Sequence, residues 1–114
     1  MGKVYGYIWE EELPKGKGNV YFIRDGMGNV KIGVAKDPLK RKKMLQTANP
    51  NKLEIFYIMN VPKYWDARVI ENELHDMFSD CRKNGEWFEE SPILDWLRNG
   101  DLLIGGFEFQ NANW

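Results

Sequence analysis

The chain has 114 residues, a net charge of −1 and 43% hydrophobic residues, of which many are aromatic. This length favours a single domain, and the aromatic content supplies enough apolar surface for a packed core, which argues against disorder. No apolar run approaches the roughly 20 residues that a membrane-spanning helix needs, so we expect no association with a membrane.

Cys81 is the only cysteine, and it is accompanied by a single histidine. This excludes an internal disulfide and leaves too few ligands for a zinc site of the usual kind. We expect an ordinary, half-buried thiol in a reducing cytoplasm. The alternative is a thiol activated by the neighbouring Arg82 and Lys83.

Residues 3–9 are rich in aromatic residues and predict either a short strand or an aromatic flap, and a Gly- and Pro-rich loop follows at residues 13–18. Residues 18–34 contain two β-branched and aromatic runs around a glycine-rich turn, which predicts a β-hairpin. A four-residue loop would place Tyr21 and Lys31 on opposite faces. We predict instead a five-residue loop from Arg24 to Gly28, which pairs Tyr21 with Lys31 on one face.

Asp37 and Pro38 predict a helix N-terminus, with Asp37 as the cap and Pro38 at the first helical position. The helix should extend to about Thr47. Its expected apolar stripe contains Arg41, Met44, Leu45 and Ala48 at helical spacing. An arginine beside a buried face needs an anionic partner or ligand.

Residues 52–59 alternate and then become wholly apolar, which predicts a third, central strand. Residues 64–79 predict a second helix, with an apolar stripe at Ala67, Ile70, Leu74, Met77 and Phe78. Glu71 lies at the margin of this stripe, where its carboxylate either extends to solvent or has a function.

The last part of the chain predicts a turn at residues 82–85, a final helix from Pro92 to Arg98 capped by Ser91 or Glu90, and an edge strand within residues 102–109. Between the turn and the helix, Trp87 and Phe88 should pack onto the core. We expect the tail, residues 111–114, to be mobile.

Five residues are candidates for chemistry: Tyr21, Lys31, Arg41, Glu71 and His75. Glu71 and His75 are four residues apart and so lie near each other on one helical face. Singly, each has an ordinary structural explanation, such as strand packing for Tyr21 or an Arg41–Glu71 ion pair. Together, a base, a cation for a phosphate and a carboxylate for a metal form a minimal phosphodiesterase, and a single carboxylate with waters suits Mg²⁺.

The order of short blocks in the chain resembles that of the GIY-YIG nuclease superfamily. The blocks are Val20-Tyr21-Phe22, Lys31-Ile32-Gly33, Arg41 in the next helix, residues 71–78 and Gly85-Glu86-Trp87-Phe88. The resemblance is closest to the phage and bacterial branch with VYF, KIG and GEWF blocks. It covers about residues 18–98 and implies an α/β (α+β) fold, with a small three-stranded antiparallel sheet flanked by helices, in one domain over residues 1–114.

The resemblance also implies metal-dependent hydrolysis of DNA phosphodiester bonds, with Mg²⁺ or Mn²⁺ as the cofactor. It assigns Tyr21 as the general base, Arg41 to the scissile phosphate and Glu71 to the metal. A free tyrosine has a pKa of about 10, so we expect Lys31 and the metal to favour the phenolate. His75 is expected to donate or accept a further hydrogen bond.

A basic cluster follows the hairpin, and we expect it to contact DNA through Lys36, Lys40, Lys42 and Lys43. Two alternatives are a non-catalytic nucleic-acid-binding module that keeps the fold, and a protein-interaction domain whose basic helix is only solvated. The sequence does not decide whether the nucleic acid is DNA or RNA, or whether the protein is a monomer or a homodimer. The expected location is the cytoplasm of a bacterial or phage-infected cell.

Overall fold

A computed structural model describes residues 18–61 and 66–114 in full, together with the backbone of a two-residue strand at Lys3–Val4. The predictions for residues 5–9, for the loop before Gly18 and for the helix start at Tyr64 lie outside the described residues. Within the described part, no helix has the length and apolar content needed to cross a membrane.

The fold is mixed α+β, as predicted. A five-stranded antiparallel sheet has the strand order β4-β2-β3-β6-β5, and a small three-stranded sheet has the order β1-β8-β7. The strands are β1 (Lys3–Val4), β2 (Asn19–Arg24), β3 (Asn29–Ala35), β4 (Glu54–Asn60), β5 (Arg82–Asn84), β6 (Trp87–Glu89), β7 (Leu103–Ile104) and β8 (Phe107–Phe109), and the helices are α1 (Pro38–Thr47), α2 (Ala67–Met77) and α3 (Glu90–Asn99).

The three predicted strands β2, β3 and β4 form adjacent members of the large sheet. The position predicted for β4 is wrong, because β4 lies at the end of the described sheet and β2 and β3 lie inside it. The segment predicted as a turn and packed aromatics forms β5 and β6, which extend the sheet beyond β3. Phe88 is fully buried and Trp87 partly so, as expected for core anchors.

The hairpin loop has five residues, as predicted, but it lies one residue later in the chain. Arg24 pairs with Val30, so Tyr21 pairs with Gly33 and the predicted pairing of Tyr21 with Lys31 is wrong. The cause is Asp25, whose carboxylate accepts hydrogen bonds from the Met27 backbone (2.8 Å) and from the Asn29 side chain (2.7 Å). An odd loop length still leaves Tyr21 and Lys31 on the same face of the sheet.

The two faces of the large sheet bury separate apolar clusters. The larger cluster contains Val20, Phe22 and Ile32 and packs against α2, α3 and the small sheet. The smaller cluster contains Tyr21 and Ile23 and packs against α1. Tyr21 and Ile32, from adjacent strands, therefore belong to opposite sides of the sheet.

Helices α1 and α2 begin with side-chain caps, from Asp37 and Asp66 respectively. The apolar stripe predicted for α1 is largely wrong, because Met44 is 56% exposed and Ala48 is also exposed, which leaves Leu45 as the partly buried contact. Arg41, expected on or beside that stripe, is exposed.

The stripe predicted for α2 is confirmed except at its C-terminal end. Ala67, Ile70, Leu74 and Phe78 are buried, whereas Met77 is 46% exposed. Phe78 fills the buried position where the helix ends, because it follows Leu74 by four residues. The buried stripe of the helix is therefore narrower at this end than its sequence indicates.

The C-terminal segment is packed rather than mobile, so that prediction is wrong. Ala112 is buried and its backbone N–H donates to the Leu97 carbonyl at 2.8 Å. The Trp114 ring contacts Phe56, and the Arg98 guanidinium lies 5.0 Å from the Trp114 ring centroid. Helix α3 itself begins at Glu90, earlier than predicted, and has Glu89 at its N-cap rather than Ser91 or Glu90, with no side-chain capping bond.

Candidate functional site

Tyr21 is 1% exposed and lies across Gly33, its partner on β3. A Cβ atom built on Gly33 would overlap the hydroxyl oxygen and Cζ of Tyr21, so the ring occupies the space that any other residue would fill. This cross-strand contact directs the phenol along the sheet face rather than away from it.

The Tyr21 hydroxyl lies within hydrogen-bonding reach of Arg41, on α1. Burial raises the pKa of Tyr21 above its ordinary value, and the Arg41 hydrogen bond and charge offset this only in part. The charges of Glu86 and Glu71 raise the pKa further. Lys31, which we expected to favour the phenolate, is not one of the larger influences on the pKa of Tyr21.

Lys31 is instead paired with Glu86, whose Oε1 lies 2.6 Å from the lysine Nζ. The lysine side chain is 10% exposed and the glutamate side chain 43% exposed. Glu86 is thus a site residue that sequence reasoning missed. The sequence around it indicates only the packing of the aromatic residues that follow, and a contact between residues 55 positions apart leaves no local signal.

Helix α2 contributes Glu71 and His75 to the same region. Ile70 and Leu74 hold the helix against the sheet, and this leaves Glu71 and His75 half-buried at the margin of the contact. Burial, followed by the negative charge of Glu86, raises the pKa of Glu71, whereas His75 and Lys31 act in the opposite direction. Glu71 therefore lies in a region where a positive charge would be stabilised.

Two contacts fix the imidazole of His75. Its Nε2 lies 3.0 Å from the carbonyl oxygen of Ile32, and its ring packs at 5.1 Å, centroid to centroid, from the ring of Phe88. Because a carbonyl oxygen can only accept, the contact assigns the proton to Nε2 and leaves the lone pair of the neutral ring on Nδ1.

The structure brings Glu71, His75 and Glu86 together near the end of β6, and the Tyr21 hydroxyl is influenced by Arg41 and by both of these glutamates. Strand β6 pairs with Asn29–Lys31 only, so β3 continues past the end of its partner. Tyr21 and α1 approach from one face of the sheet, and α2 approaches from the other. The site therefore forms at an edge that both faces can reach.

A ligand atom from each of Glu71, His75 and Glu86 lies within 4.8 Å of the other two. Carboxylate oxygens suit Mg²⁺ and Mn²⁺, and an imidazole nitrogen adds a donor that transition metals accept. The donors present thus fit a divalent cation. The sequence predicts a single carboxylate, Glu71, and the structure adds two neighbouring donors to it.

The predicted nucleic-acid-binding lysines lie immediately before and within α1, the helix that carries Arg41. Lys36, Lys40 and Lys43 are exposed, whereas Lys42 is half-buried. Their role in DNA contact stays a prediction. Cys81 is buried, and burial, with the charge of Glu89 adding to it, raises the pKa of its thiol, which speaks against an activated nucleophile.

The chain belongs to the T5orf172 domain family, whose model matches residues 6–99. The domain is found in phage and bacterial proteins and has nuclease-like associations. No curated protein and no solved structure shows significant similarity to the chain. The family membership supports a role related to nucleic acids, and the matched span includes every residue of the site described above.

Proposed function

We propose that the protein is a GIY-YIG-type, metal-dependent endonuclease that hydrolyses phosphodiester bonds in DNA. The observation that carries the proposal is the convergence of Tyr21, Arg41 and Glu71, which come from a strand and two helices far apart in sequence. The order of motifs in the sequence predicts the same three residues. Their proximity supports a common chemical role, because the fold brings side chains from a strand and two different helices to one hydroxyl group.

Arg41 is suited to hold the scissile phosphate. Its guanidinium is exposed on α1 yet close to the Tyr21 hydroxyl, so an anion bound there would contact both groups. A guanidinium can donate two parallel hydrogen bonds to phosphate oxygens, and this fixes the orientation of the phosphorus centre. The lysines of α1 then supply the electrostatic attraction for the flanking DNA backbone.

Tyr21 is suited to accept a proton from the attacking water. In this step the water oxygen forms a bond to phosphorus, its proton passes to the phenolate oxygen, and the bond from phosphorus to the leaving oxygen breaks, with solvent protonating that oxygen. Because burial raises the pKa of Tyr21, the phenolate needs a strong positive field. Arg41 contributes to that field.

Glu71 is suited to hold a divalent cation, with Glu86 and His75 as neighbouring donors. Such an ion would supply positive charge that favours the Tyr21 phenolate and stabilises the negative charge that develops on the phosphate oxygens. Such an ion would also favour the ionised form of Glu71, because a nearby positive charge lowers the pKa that burial and Glu86 raise.

The test is cleavage of supercoiled plasmid with Mg²⁺ or Mn²⁺, comparing the parent with Glu71→Gln. We expect the parent to nick the plasmid and Glu71→Gln to cut at least about 100-fold more slowly while still binding duplex DNA. Asp76→Asn is the matched control, because Asp76 is exposed on the same helix and the charge change is equal. Equal cleavage by Glu71→Gln and the parent would refute the assignment.

The second candidate function is a non-catalytic nucleic-acid-binding module. The raised pKa of Tyr21 favours it, because a phenol that keeps its proton is a poor base. This function predicts salt-dependent DNA binding with no cleavage by the parent under any of the metal conditions. The plasmid assay therefore separates the two candidates.

A further inference from the structure

The donors Glu71, His75 and Glu86 differ in kind from an all-oxygen magnesium site. Two are carboxylates and one is an imidazole, and their ligand atoms lie within 4.8 Å of one another. Mg²⁺ prefers oxygen ligands and keeps several waters, whereas imidazole nitrogen is a ligand for transition metals. The chemistry of the donor set therefore bears on which metal binds.

The hydrogen bond that His75 makes is one that metal-ligating histidines commonly make. In metal sites, a ligating histidine commonly donates its other ring N–H to a carboxylate or a backbone carbonyl, which fixes the tautomer and the ring. His75 makes this contact through Nε2 to the Ile32 carbonyl at 3.0 Å, and its ring also rests on Phe88. Nδ1 of the neutral ring is left with a lone pair, so it is the nitrogen that can accept a metal ion.

Glu86 is likewise held before any metal binds. One carboxylate oxygen is 2.6 Å from Lys31 Nζ, and the Glu86 backbone carbonyl accepts from the Ile32 N–H at 3.1 Å. The second carboxylate oxygen remains available, since Lys31 bonds to Oε1. Lys31 also balances part of the negative charge that Glu71 and Glu86 bring to the site.

We propose that Glu71, His75 and Glu86 together bind one divalent transition-metal ion, so that the site prefers Mn²⁺ to Mg²⁺, with Lys31 as the residue that positions Glu86. This inference deepens the proposed function, since it concerns the metal of the same site. It goes beyond a single glutamate ligand by adding a nitrogen donor and a second carboxylate. It makes His75 a ligand rather than a hydrogen-bonding residue of the reaction.

The test uses Mn²⁺ as the probe and electron paramagnetic resonance as the readout. His75 is the only histidine of the chain, so ¹⁴N modulation of the bound Mn²⁺ spin echo at imidazole frequencies reports this residue once any affinity tag is removed. We expect that modulation in the parent and its loss in His75→Gln. We expect Glu86→Gln to keep it while binding Mn²⁺ about tenfold more weakly or worse.

Competition completes the experiment. We expect that displacing half of the bound Mn²⁺ takes at least about a tenfold excess of Mg²⁺ in the parent, and less in His75→Gln. Asp76→Asn should behave as the parent in both measurements. Three results in the parent would each overturn the proposal: no bound Mn²⁺, bound Mn²⁺ without ¹⁴N modulation, or displacement of half of the Mn²⁺ by an equal concentration of Mg²⁺. All three are measured on the parent, so none depends on how well a variant folds.

The outcome is independent of the cleavage assay. Nitrogen-coordinated Mn²⁺ in a protein that does not cut plasmid would support this metal centre and refute the proposed nuclease activity. Cleavage with Mn²⁺ held by oxygen ligands alone would support the nuclease and refute the role of His75 as a ligand.

Discussion

The ring of Tyr21 lies over the backbone of Gly33, and it occupies the space that a side chain at position 33 would need. A Cβ on Gly33 would overlap the Tyr21 hydroxyl oxygen and come 3.0 Å from Cε1. The glycine is needed here for the close approach of a side chain. The position of the phenol, and hence its distance from Arg41, depends on this missing methyl group.

Gly33→Ala should therefore displace Tyr21 and destabilise the fold by about 1–3 kcal/mol, the usual cost of overpacking. Urea unfolding measures the loss, and cleavage should fall with it. In a Tyr21→Ala background the added methyl group has room, so the same substitution should cost less. Equal costs in both backgrounds would show that the steric coupling is absent.

Asp25→Asn should weaken the hairpin by about 1–2 kcal/mol at pH 7, because the carboxylate accepts bonds from Met27 and Asn29. Burial opposes the charge of Asp25, but these hydrogen bonds outweigh it and lower the pKa of the carboxyl. The stabilisation is complete above the unfolded-state pKa of about 3.9 and is lost as the pH falls through the lower folded-state value.

Urea unfolding of the parent and of Asp25→Asn should thus differ at pH 7 and converge in acid. Asp101→Asn, at an exposed aspartate, is the control and should match the parent at both pH values. A stability difference that persists undiminished well below the folded-state pKa would contradict the role of the ionised carboxylate.

Lys31→Met should separate stability from activity. The free energy of unfolding should change by less than about 1 kcal/mol, since Glu86 is 43% exposed and can regain water when the ammonium is removed. Cleavage should fall by about 10- to 100-fold, because Glu86 is no longer held in position. Plasmid cleavage and urea unfolding measure the two effects, and unchanged cleavage would remove Lys31 from the site.

Lys40→Gln combined with Lys43→Gln should reduce the dependence of DNA binding on salt. Neutralising one lysine that binds a phosphate lowers the slope of log K against log salt by about 0.9, so the double variant should lower it by up to about twice that value. Fluorescence anisotropy with a labelled duplex at several salt concentrations measures it. Lys52→Gln, also exposed but before β4, should leave the slope unchanged if α1 is the DNA-binding face.

Trp114→Ala should cost about 1–2 kcal/mol, because the ring is half-buried against Phe56 and Arg98. Thermal unfolding measures the change. Asn113→Ala, at an exposed position in the same segment, should have little effect. Equal midpoints for Trp114→Ala and the parent would mean that the tail packs without contributing to stability.

The features that the sequence predicted well depend on local chemistry. Asp37 and Pro38 specify the start of α1 through contacts inside its first turn, where the Asp37 side chain accepts from the Lys40 N–H. An odd number of loop residues likewise places Tyr21 and Lys31 on the same face of the sheet. The exact register of β2 against β3 depends on hydrogen bonds within the turn, where Asp25 and Asn29 are bonded to each other through side chains and backbone. Such bonds compete with turn-type preferences and are hard to weigh from sequence.

The features that were missed depend on contacts between distant residues. Glu86 enters the site because β6 pairs with β3, which the aromatic residues after Glu86 do not indicate. The packed tail depends on Trp114 reaching Phe56, a pairing that ordinary terminal composition does not predict. The raised pKa of Tyr21 follows from burial on a face that only the folded sheet creates.

Ile32 contributes to the site through its backbone rather than through its side chain. Its N–H donates to the Glu86 carbonyl and its own carbonyl accepts from His75 Nε2, while its side chain is fully buried in the larger apolar cluster. Every amino acid except proline carries both of these backbone groups. A side-chain substitution at position 32 therefore alters the packing of the core but keeps the backbone donor and acceptor that contact Glu86 and His75.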